Sequence, residues 1–301
     1  MTGTPGTTGT PGRTGTPPGP AGPLPLDLGG RRLDLSRRAL VMGILNRTTD
    51  SFYDGGAYFR LDDLLRRAER LVADGADLLD VGARAAGVGT REVSVAEETD
   101  LVASAIQALR DRLEVPLSVD TWRAPVAAAA FQAGAALGND MSGFRDPGYL
   151  PAAVAAGATV VATHTRLPPG VPDPEPVYGD VVADVAAALR RLAGRARAAG
   201  VPTERIVVDP GLDLGKTWRQ SLRLLAQFPL FAGLGYPLLL AASNKVFLGR
   251  LLNLDRHERE AATVAACALG VFRGARVVRV HDARGARHAV DLAAALQELS
   301  G

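Results

Sequence analysis

The sequence predicts an α/β protein that folds as a single (β/α)8 TIM barrel with an N-terminal hairpin and a disordered N-terminal tail. Eight short apolar segments alternate with eight segments of helical periodicity. Together they occupy about 260 residues, the usual size of such a barrel. A doubly wound open sheet would give the same alternation, but no Gly-x-Gly-x-x-Gly motif follows the first segment. The missing motif and the count of eight favour the barrel.

Each predicted strand is a short, mainly apolar run, as expected of a strand that is buried on both faces. The predicted strands are 41–45, 77–81, 116–120, 136–140, 159–163, 205–209, 237–242 and 276–281. Apolar side chains at helical spacing follow each strand. The predicted helices are 61–74, 95–112, 124–133, 147–156, 181–199, 218–234, 256–273 and 283–299.

The N-terminal region differs in composition from the rest of the chain. Residues 1–23 form a Gly/Thr/Pro tract that is too poor in apolar side chains to build a core, which predicts disorder. Residues 24–35 alternate apolar and polar positions around Gly29-Gly30, which predicts a hairpin that caps one end of the barrel. The predicted organisation is therefore a tail at 1–23 and a barrel domain at 24–301.

Composition excludes several classes of function. A formal net charge of +2, 5% aromatic residues and no basic run argue against a nucleic-acid partner. The single cysteine, Cys267, allows no disulfide framework, and its Ala-rich helical setting indicates a core residue. No apolar segment reaches membrane-spanning length and no signal-peptide core is present, so we expect a cytoplasmic protein without a membrane partner.

Lysine usage is unusual. Of 34 Lys and Arg residues only two are lysines, Lys216 and Lys245. Lysine carries a compact ammonium and arginine a bulkier planar fork. Both lysines follow predicted strands, so both are candidates for positions that need an ammonium group.

Polar side chains stand at the end of every predicted strand. They are Asn46, Asp80, Asp120, Asn139, Asp140, His164, Asp209, Ser243, Lys245, Arg279 and His281. The carboxyl ends of barrel strands meet on one face, where the active sites of such barrels lie. Taken singly, Asp80 and Asp140 could cap turns and the histidines could be buried core residues. Taken together, the set predicts a small-molecule site.

The side chains of this ring suit two kinds of ligand group. Asp120, Asn139 and Asp209 suit a planar heterocycle with ring N–H, amino and carbonyl groups. Lys245, Arg279 and His281 suit an anion such as phosphate or carboxylate. Asn46 could bind a Mg2+ ion carried by a phosphate. A zinc site is disfavoured because no HxH or HExxH pair occurs.

Six ordered stretches resemble the dihydropteroate synthase family, the pterin-binding barrels of folate biosynthesis. They read MGILNRTTDSFYDGG, SVDTWRA, NDMSG, DPGLDLGKT, LAASNKVFLGRLL and RVHD, and the resemblance runs from about residue 40 to residue 296. It implies a transferase, usually homodimeric, in which the amine of p-aminobenzoate displaces pyrophosphate from dihydropterin-methyl pyrophosphate with Mg2+ present. It also implies roles for the ring: Lys245, Asp120 and Asp209 as catalytic residues, Asn139, Ser243, Arg279, His281 and His164 as substrate-binding residues, and Asn46 as the metal ligand.

The departures from the family pattern lie mainly on the p-aminobenzoate side. Residues 85–89 read Ala-Ala-Gly-Val-Gly where the family has Ser-Thr-Arg-Pro-Gly, and Asn244 replaces an arginine. Asp213-Leu214 replaces Gly-Phe, which removes an aromatic wall and adds a charge near the pocket. Arg47 and Thr49 replace Val and Pro, and Thr163 replaces Met. The chain thus resembles the divergent second family members of actinobacterial genomes.

Three functional hypotheses follow. The preferred one is a synthase with a remodelled p-aminobenzoate side, because the groups that would stabilise a leaving pyrophosphate persist. The alternative is a pterin-binding paralogue without synthase activity, acting as a sensor, carrier or partner subunit. A different pterin enzyme, such as a methyl-group transferase, is less favoured because Asn46 and Lys245 suit a pyrophosphate-bearing pterin.

Overall fold

The computed structural model describes residues 23–46, 57–84 and 92–300. The tail predicted at 1–23 lies outside these ranges except for Pro23. The loop at 47–56 with Arg47 and Thr49 and the altered loop at 85–89 also lie outside them.

Within the described residues, ten strands form two sheets. β1 (Pro25–Leu28) and β2 (Arg31–Asp34) make an antiparallel hairpin. The other strands are β3 (Leu40–Asn46), β4 (Leu78–Gly82), β5 (Leu117–Asp120), β6 (Leu137–Asp140), β7 (Thr159–Thr163), β8 (Ile206–Asp209), β9 (Leu238–Leu240) and β10 (Ala275–Val280). These eight strands pair in parallel and in chain order, and β10 closes the barrel against β3. The predicted barrel is confirmed, and the open sheet is excluded.

Ten α-helices lie within the described ranges. They are α1 (Ala57–Ala73), α2 (Val95–Arg110), α3 (Ala124–Ala133), α4 (Tyr149–Ala156), α5 (Val181–Ala198), α6 (Trp218–Ala226), α7 (Phe228–Ala232), α8 (Val246–Leu252), α9 (Glu260–Phe272) and α10 (Ala283–Ser300). Short 3-10 turns occur at Thr203–Arg205 and Arg256–Glu258.

Two predicted helices were wrong in detail, and one helix was missed. The helix expected at 218–234 is two helices that meet at Gln227, because Pro229 has no N–H to donate and its ring clashes with the preceding turn. The helix expected at 256–273 begins as a 3-10 turn, and α9 starts only at Glu260. Helix α8 was missed because seven residues are too few for a clear periodicity.

The hairpin closes the N-terminal end of the barrel, as predicted. Gly29 and Gly30 both have positive φ, which a two-residue type I′ turn requires. Leu26 and Leu28 are buried in a core cluster with the side chains that fill the lower barrel interior, among them Met42 of β3. The open face of the barrel is therefore the opposite one, at the carboxyl ends of the strands.

A second, larger apolar cluster lies between the barrel and its helices. Cys267 of α9 is fully buried in it, and burial raises the pKa of its thiol to about 12, so this cysteine is the predicted core residue. Among the helices described, none combines the length and the apolar character needed to cross a bilayer.

Candidate active site at the carboxyl ends of the barrel strands

Alternate side chains of each barrel strand point into the barrel. The lower interior positions are mainly apolar, with Leu78 on β4 and Leu137 on β6 as examples. Two positions further along the same strands stand Asp80 and Asn139, both buried. The barrel interior therefore changes from apolar to polar near its open face.

Asp80 is the centre of this polar layer. Its fully buried carboxylate accepts hydrogen bonds from the Ser118 hydroxyl at 2.5 Å, Asn139 Nδ2 at 3.0 Å and Arg279 Nε at 2.5 Å. Arg279 Nη2 also donates to Asp120 Oδ2 at 2.6 Å. Asp80 thus joins β4, β5, β6 and β10 and does not cap a turn.

Asp140, by contrast, does cap a turn. Its carboxylate accepts from the backbone N–H groups of Ser142 at 2.6 Å and Phe144 at 2.8 Å. Both of its oxygens are therefore engaged in holding the loop after β6.

Three oxygen atoms of the layer remain open to a ligand. No donor among the described residues reaches Asp120 Oδ1, Asn139 Oδ1 or Asp209 Oδ2; the other Asp209 oxygen accepts from the Gly211 N–H at 2.7 Å. Burial raises the pKa of Asp120 to about 6, against the opposing effect of the Arg279 charge. Burial raises the pKa of Asp209 as well. The site thus offers hydrogen-bond acceptors on β5, β6 and β8.

Asn46 lies at the end of β3, facing this layer. A Cβ atom placed on Gly82 would lie 3.7 Å from both Asn46 Oδ1 and Asp120 Oδ2. Glycine at position 82 therefore leaves open the space between these two oxygen atoms.

Lys245 stands immediately before α8. Its Nζ donates to the Leu212 carbonyl at 3.0 Å, and the charges of Asp213, Asp209 and Asp120 oppose the burial that lowers its pKa. Asp213 adopts φ +65°, accepts from the Ser221 hydroxyl at 3.0 Å and accepts from the Phe247 N–H of α8 at 3.2 Å. The charge that Asp213 adds to the loop after β8 therefore also caps α8.

Lys216 and His164 form a buried pair beside the site. Lys216 Nζ lies 2.9 Å from His164 Nδ1 and donates to the carbonyls of Gly211 at 2.8 Å and Leu214 at 2.9 Å. Burial lowers the pKa of Lys216 to about 7 and that of His164 to about 3. The Nδ1 atom of His164 is therefore hydrogen-bonded to a residue of the loop after β8. Sequence reasoning did not include Lys216 in the site, although the scarcity of lysine had marked it.

Ser243 and His281 form a second pair, with Ser243 Oγ 2.7 Å from His281 Nδ1. Burial and the nearby Arg279 charge lower the pKa of His281 to about 4, so its ring is neutral at pH 7. Both side chains line a cavity of about 360 Å³ between α1, α9 and α10, and Asn244 lies on the same wall.

Arg84 and Trp122 are two further residues of the open face that sequence reasoning missed. The Arg84 guanidinium lies 4.2 Å from the centre of the Trp122 ring, a cation–π contact. Burial lowers its pKa, and no ion pair joins it to a carboxylate of the described residues. The tryptophan in the SVDTWRA stretch was the one available signal.

The structure thus brings most of the predicted ring together. Arg279 bridges Asp80 and Asp120, and Asn139 donates to Asp80. Lys245 and Asp209 adjoin them across the loop after β8, and Asn46 faces Asp120 across Gly82. Ser243 pairs with His281 and His164 pairs with Lys216.

The chain matches the family described as pterin binding enzyme over residues 42–281. It is 39% identical over 262 residues to a dihydropteroate synthase from Synechocystis, covering 86% of this chain and 91% of the relative. Two similar solved structures are of Xanthomonas albilineans dihydropteroate synthase, each 38% identical to this chain. The one with 4-aminobenzoic acid has a TM-score of 0.83 and covers 92% of this chain and 99% of its own. The one in complex with 7,8-dihydropteroate has a TM-score of 0.81, with coverages of 91% and 98%.

The barrel fold, the polar side chains at the strand ends and the similarity to known synthases all point to the same family, and the similarity extends over most of the chain. The chain belongs to the dihydropteroate synthase family of pterin-binding enzymes.

Proposed function

We propose that this protein is a dihydropteroate synthase, a transferase of folate biosynthesis that joins p-aminobenzoate to dihydropterin-methyl pyrophosphate and releases pyrophosphate. The observation that carries the proposal is the open acceptor set on β5, β6 and β8 beside the Lys245 ammonium and the Arg279 guanidinium. Similarity to synthases over most of the chain supports it, and nothing in that similarity indicates impaired activity.

The acceptors suit the donor edge of a pterin. Asn139 Oδ1, Asp120 Oδ1 and Asp209 Oδ2 can accept from ring N–H and amino groups, and each parent side chain is held in place by a second hydrogen bond. Lys245, fixed by the Leu212 carbonyl, can donate to a ring nitrogen or carbonyl oxygen. Such preorganised groups hold the methylene carbon in one position for attack.

The reaction exchanges a carbon–oxygen bond for a carbon–nitrogen bond. The amine nitrogen of p-aminobenzoate bonds to the methylene carbon, the carbon–oxygen bond to pyrophosphate breaks, and the amine proton passes to water. An aromatic amine needs no strong base before attack, so the main requirement is stabilisation of the leaving anion. Arg279 on β10, next to β3, and His281, which follows β10, can supply donors on that side of the site.

Asn46 fits a role as the Mg2+ ligand. Its amide oxygen lies at the barrel mouth beside an open gap, and Mg2+ commonly takes one or two protein oxygens together with phosphate oxygens and water. A Mg2+ ion held there would neutralise charge on the leaving pyrophosphate.

On the p-aminobenzoate side we propose that Arg84 replaces the guanidinium that the family carries at the position of Gly87. Arg84 lies three residues earlier, is held over Trp122 and has no carboxylate partner among the described residues. With Asn244 also in place of arginine, the chain is a divergent paralogue of the kind found in actinobacterial genomes, with a rebuilt second-substrate side.

The test separates synthase activity from binding alone. Dihydropterin-methyl pyrophosphate is titrated with Mg2+, p-aminobenzoate is added, and pyrophosphate release is followed. Stoichiometric release that depends on p-aminobenzoate is expected. Binding without release would instead identify a pterin-binding paralogue, and no binding would refute both.

A matched pair of variants tests Arg84. Arg84→Gln should raise the KM for p-aminobenzoate roughly tenfold or more, since a charge-assisted hydrogen bond is lost. Arg66→Gln, which removes an exposed arginine of α1, should leave it unchanged. Equal KM values for both variants would contradict the role of Arg84.

We also propose a homodimer. Five large apolar side chains of three successive helices are 42–57% exposed: Leu230 on α7, Val246, Leu251 and Leu252 on α8, and Leu269 on α9. Contact between two copies would remove this apolar surface from water. Light scattering should give twice the 31.4 kDa chain mass, and a monomer at micromolar concentration would contradict the proposal.

A further inference from the structure

The hydroxyl group of Thr163 is buried without a hydrogen-bond partner. The residue is 2% exposed, and no donor or acceptor of the described residues reaches Thr163 Oγ1. Leaving a buried polar group unsatisfied is costly, and most buried polar atoms in native proteins are paired. The orphan hydroxyl therefore calls for an explanation.

Its place on the strand points into the binding site. Thr163 is the last residue of β7, which lies between β6 and β8. Val161, two positions earlier, belongs to the cluster that fills the barrel interior, and alternate residues of a strand share a face. Thr163 also pairs in register with Asp209 of β8. Its side chain thus faces the barrel interior, on the strand between those of Asn139 and Asp209.

The neighbours of Thr163 leave it a distinct chemical role. Asn139 Oδ1 and Asp209 Oδ2 can only accept, so they match N–H groups of a ligand. A hydroxyl can also donate, so Thr163 can match a ring nitrogen or carbonyl oxygen that lies between two N–H groups. A pterin presents such a donor–acceptor–donor edge, with its 2-amino group and N8–H on either side of N1 in the dihydro form.

We propose that the Thr163 hydroxyl donates a hydrogen bond to the bound heterocycle and so contributes to its selection. This rests on the proposed function, because it assumes that a pterin occupies the site. The hydroxyl has no hydrogen-bond partner in the free protein and gains one in the complex. Its removal should therefore leave the free protein equally or more stable and should weaken pterin binding.

The experiment compares two isosteric substitutions. Thr163→Val removes the hydroxyl inside the barrel. Tyr149→Phe is the matched control, because Tyr149 Oη is the other buried hydroxyl without a partner in the described ranges, and it lies outside the barrel among the helices. Thr163→Ser keeps the hydroxyl and reports on the loss of the methyl group alone. Binding of 7,8-dihydropterin and of inorganic pyrophosphate with Mg2+ is measured by calorimetry, and the Tm of each ligand-free protein is recorded.

Thr163→Val should bind pterin about 2- to 12-fold more weakly, the range expected for one hydrogen bond. Its affinity for pyrophosphate should be unchanged, and its ligand-free Tm should be equal to or above that of the wild type. Tyr149→Phe should show the same Tm behaviour with unchanged pterin affinity, and Thr163→Ser should retain most of the affinity.

Two results would overturn the inference. Equal pterin affinity of Thr163→Val and the wild type would show that the hydroxyl does not contact the heterocycle, while the proposed function would stand. A wild-type protein that binds pyrophosphate but no pterin would overturn both.

Discussion

Replacing Asp80 by asparagine should destabilise the protein severely although it changes one functional group in nearly the same volume. The buried carboxylate accepts from Arg279, Asn139 and Ser118. Arg279 and Asn139 both donate to Oδ2 and Ser118 donates to Oδ1, so an asparagine can direct its oxygen to Arg279 and Asn139 and its N–H₂ to the Ser118 hydroxyl, which can also accept. The negative charge opposite the Arg279 guanidinium is nevertheless lost, and breaking a buried ion pair costs about 3–5 kcal/mol.

Urea denaturation measures this loss in the free energy of unfolding. The matched control is Asp63→Asn, which breaks the exposed Asp63–Arg66 pair at 2.6 Å, against 2.5 Å for Asp80–Arg279. Asp63 is 56% exposed and the Asp80 side chain is fully buried, so the control should cost less than about 1 kcal/mol. A loss below 1 kcal/mol for Asp80→Asn, or equal losses for both variants, would refute the assignment of Asp80 as the centre of the polar layer.

Three further predictions concern the site. Pterin affinity should fall as the pH drops below about 6, because the Asp120 carboxylate then gains a proton and its open oxygen no longer accepts a hydrogen bond. The free energy of unfolding should change in the other direction and fall as the pH rises from 3.8 to 6, because the pKa of Asp120 is higher in the folded than in the unfolded protein. An affinity profile that stays flat, or one that Asp120→Asn does not flatten, would contradict this. In protein labelled with 15N at the lysine side chains, the NMR spectrum should show two amine signals, one for each lysine. The signal that is lost in Lys216→Met should titrate near pH 7. Since the unfolded chain keeps that proton to about pH 10.5, stability should rise from pH 7 upward in the wild type and more weakly in Lys216→Met, in which only Lys245, whose pKa burial also lowers, still contributes as a lysine. Titration of the Lys216 signal near pH 10 would refute the burial argument. Lys245→Arg should weaken pterin binding despite the retained charge, because a planar fork replaces the ammonium that the Leu212 carbonyl fixes, and unchanged affinity in calorimetry would count against that role.

The barrel could be predicted because its signal is local and repeated. Buried parallel strands are short apolar runs, and each predicted strand lies within two residues of the observed one, as at β5, expected at 116–120 and found at Leu117–Asp120. The signal fails where an element is short or interrupted: α8 has seven residues, and Pro229 divides a helix that periodicity alone continues.

The ring of site residues could be predicted for a topological reason, since parallel strands must end on one face. The partners of those residues could not, because they depend on which side chains meet across the barrel. Asp80 and Arg279 are 199 positions apart in sequence and share a hydrogen bond. His164 and Lys216 are 52 apart and pair in the loop layer. No spacing rule contains such contacts, so the organising role of Asp80 and the loop role of Lys216 became visible only in three dimensions.

The hairpin of β1 and β2 also determines from which end of the barrel a surface or another protein can be attached to the chain. The hairpin packs against the lower barrel interior, and the chain enters it at Pro23, on the side opposite the strand ends that carry Lys245 and Arg279. A surface, a resin or a fused domain joined directly to Pro23 would therefore approach the base of the barrel and leave the mouth to substrates. For an immobilised catalyst or a binding sensor, Pro23 is the attachment point that this architecture favours.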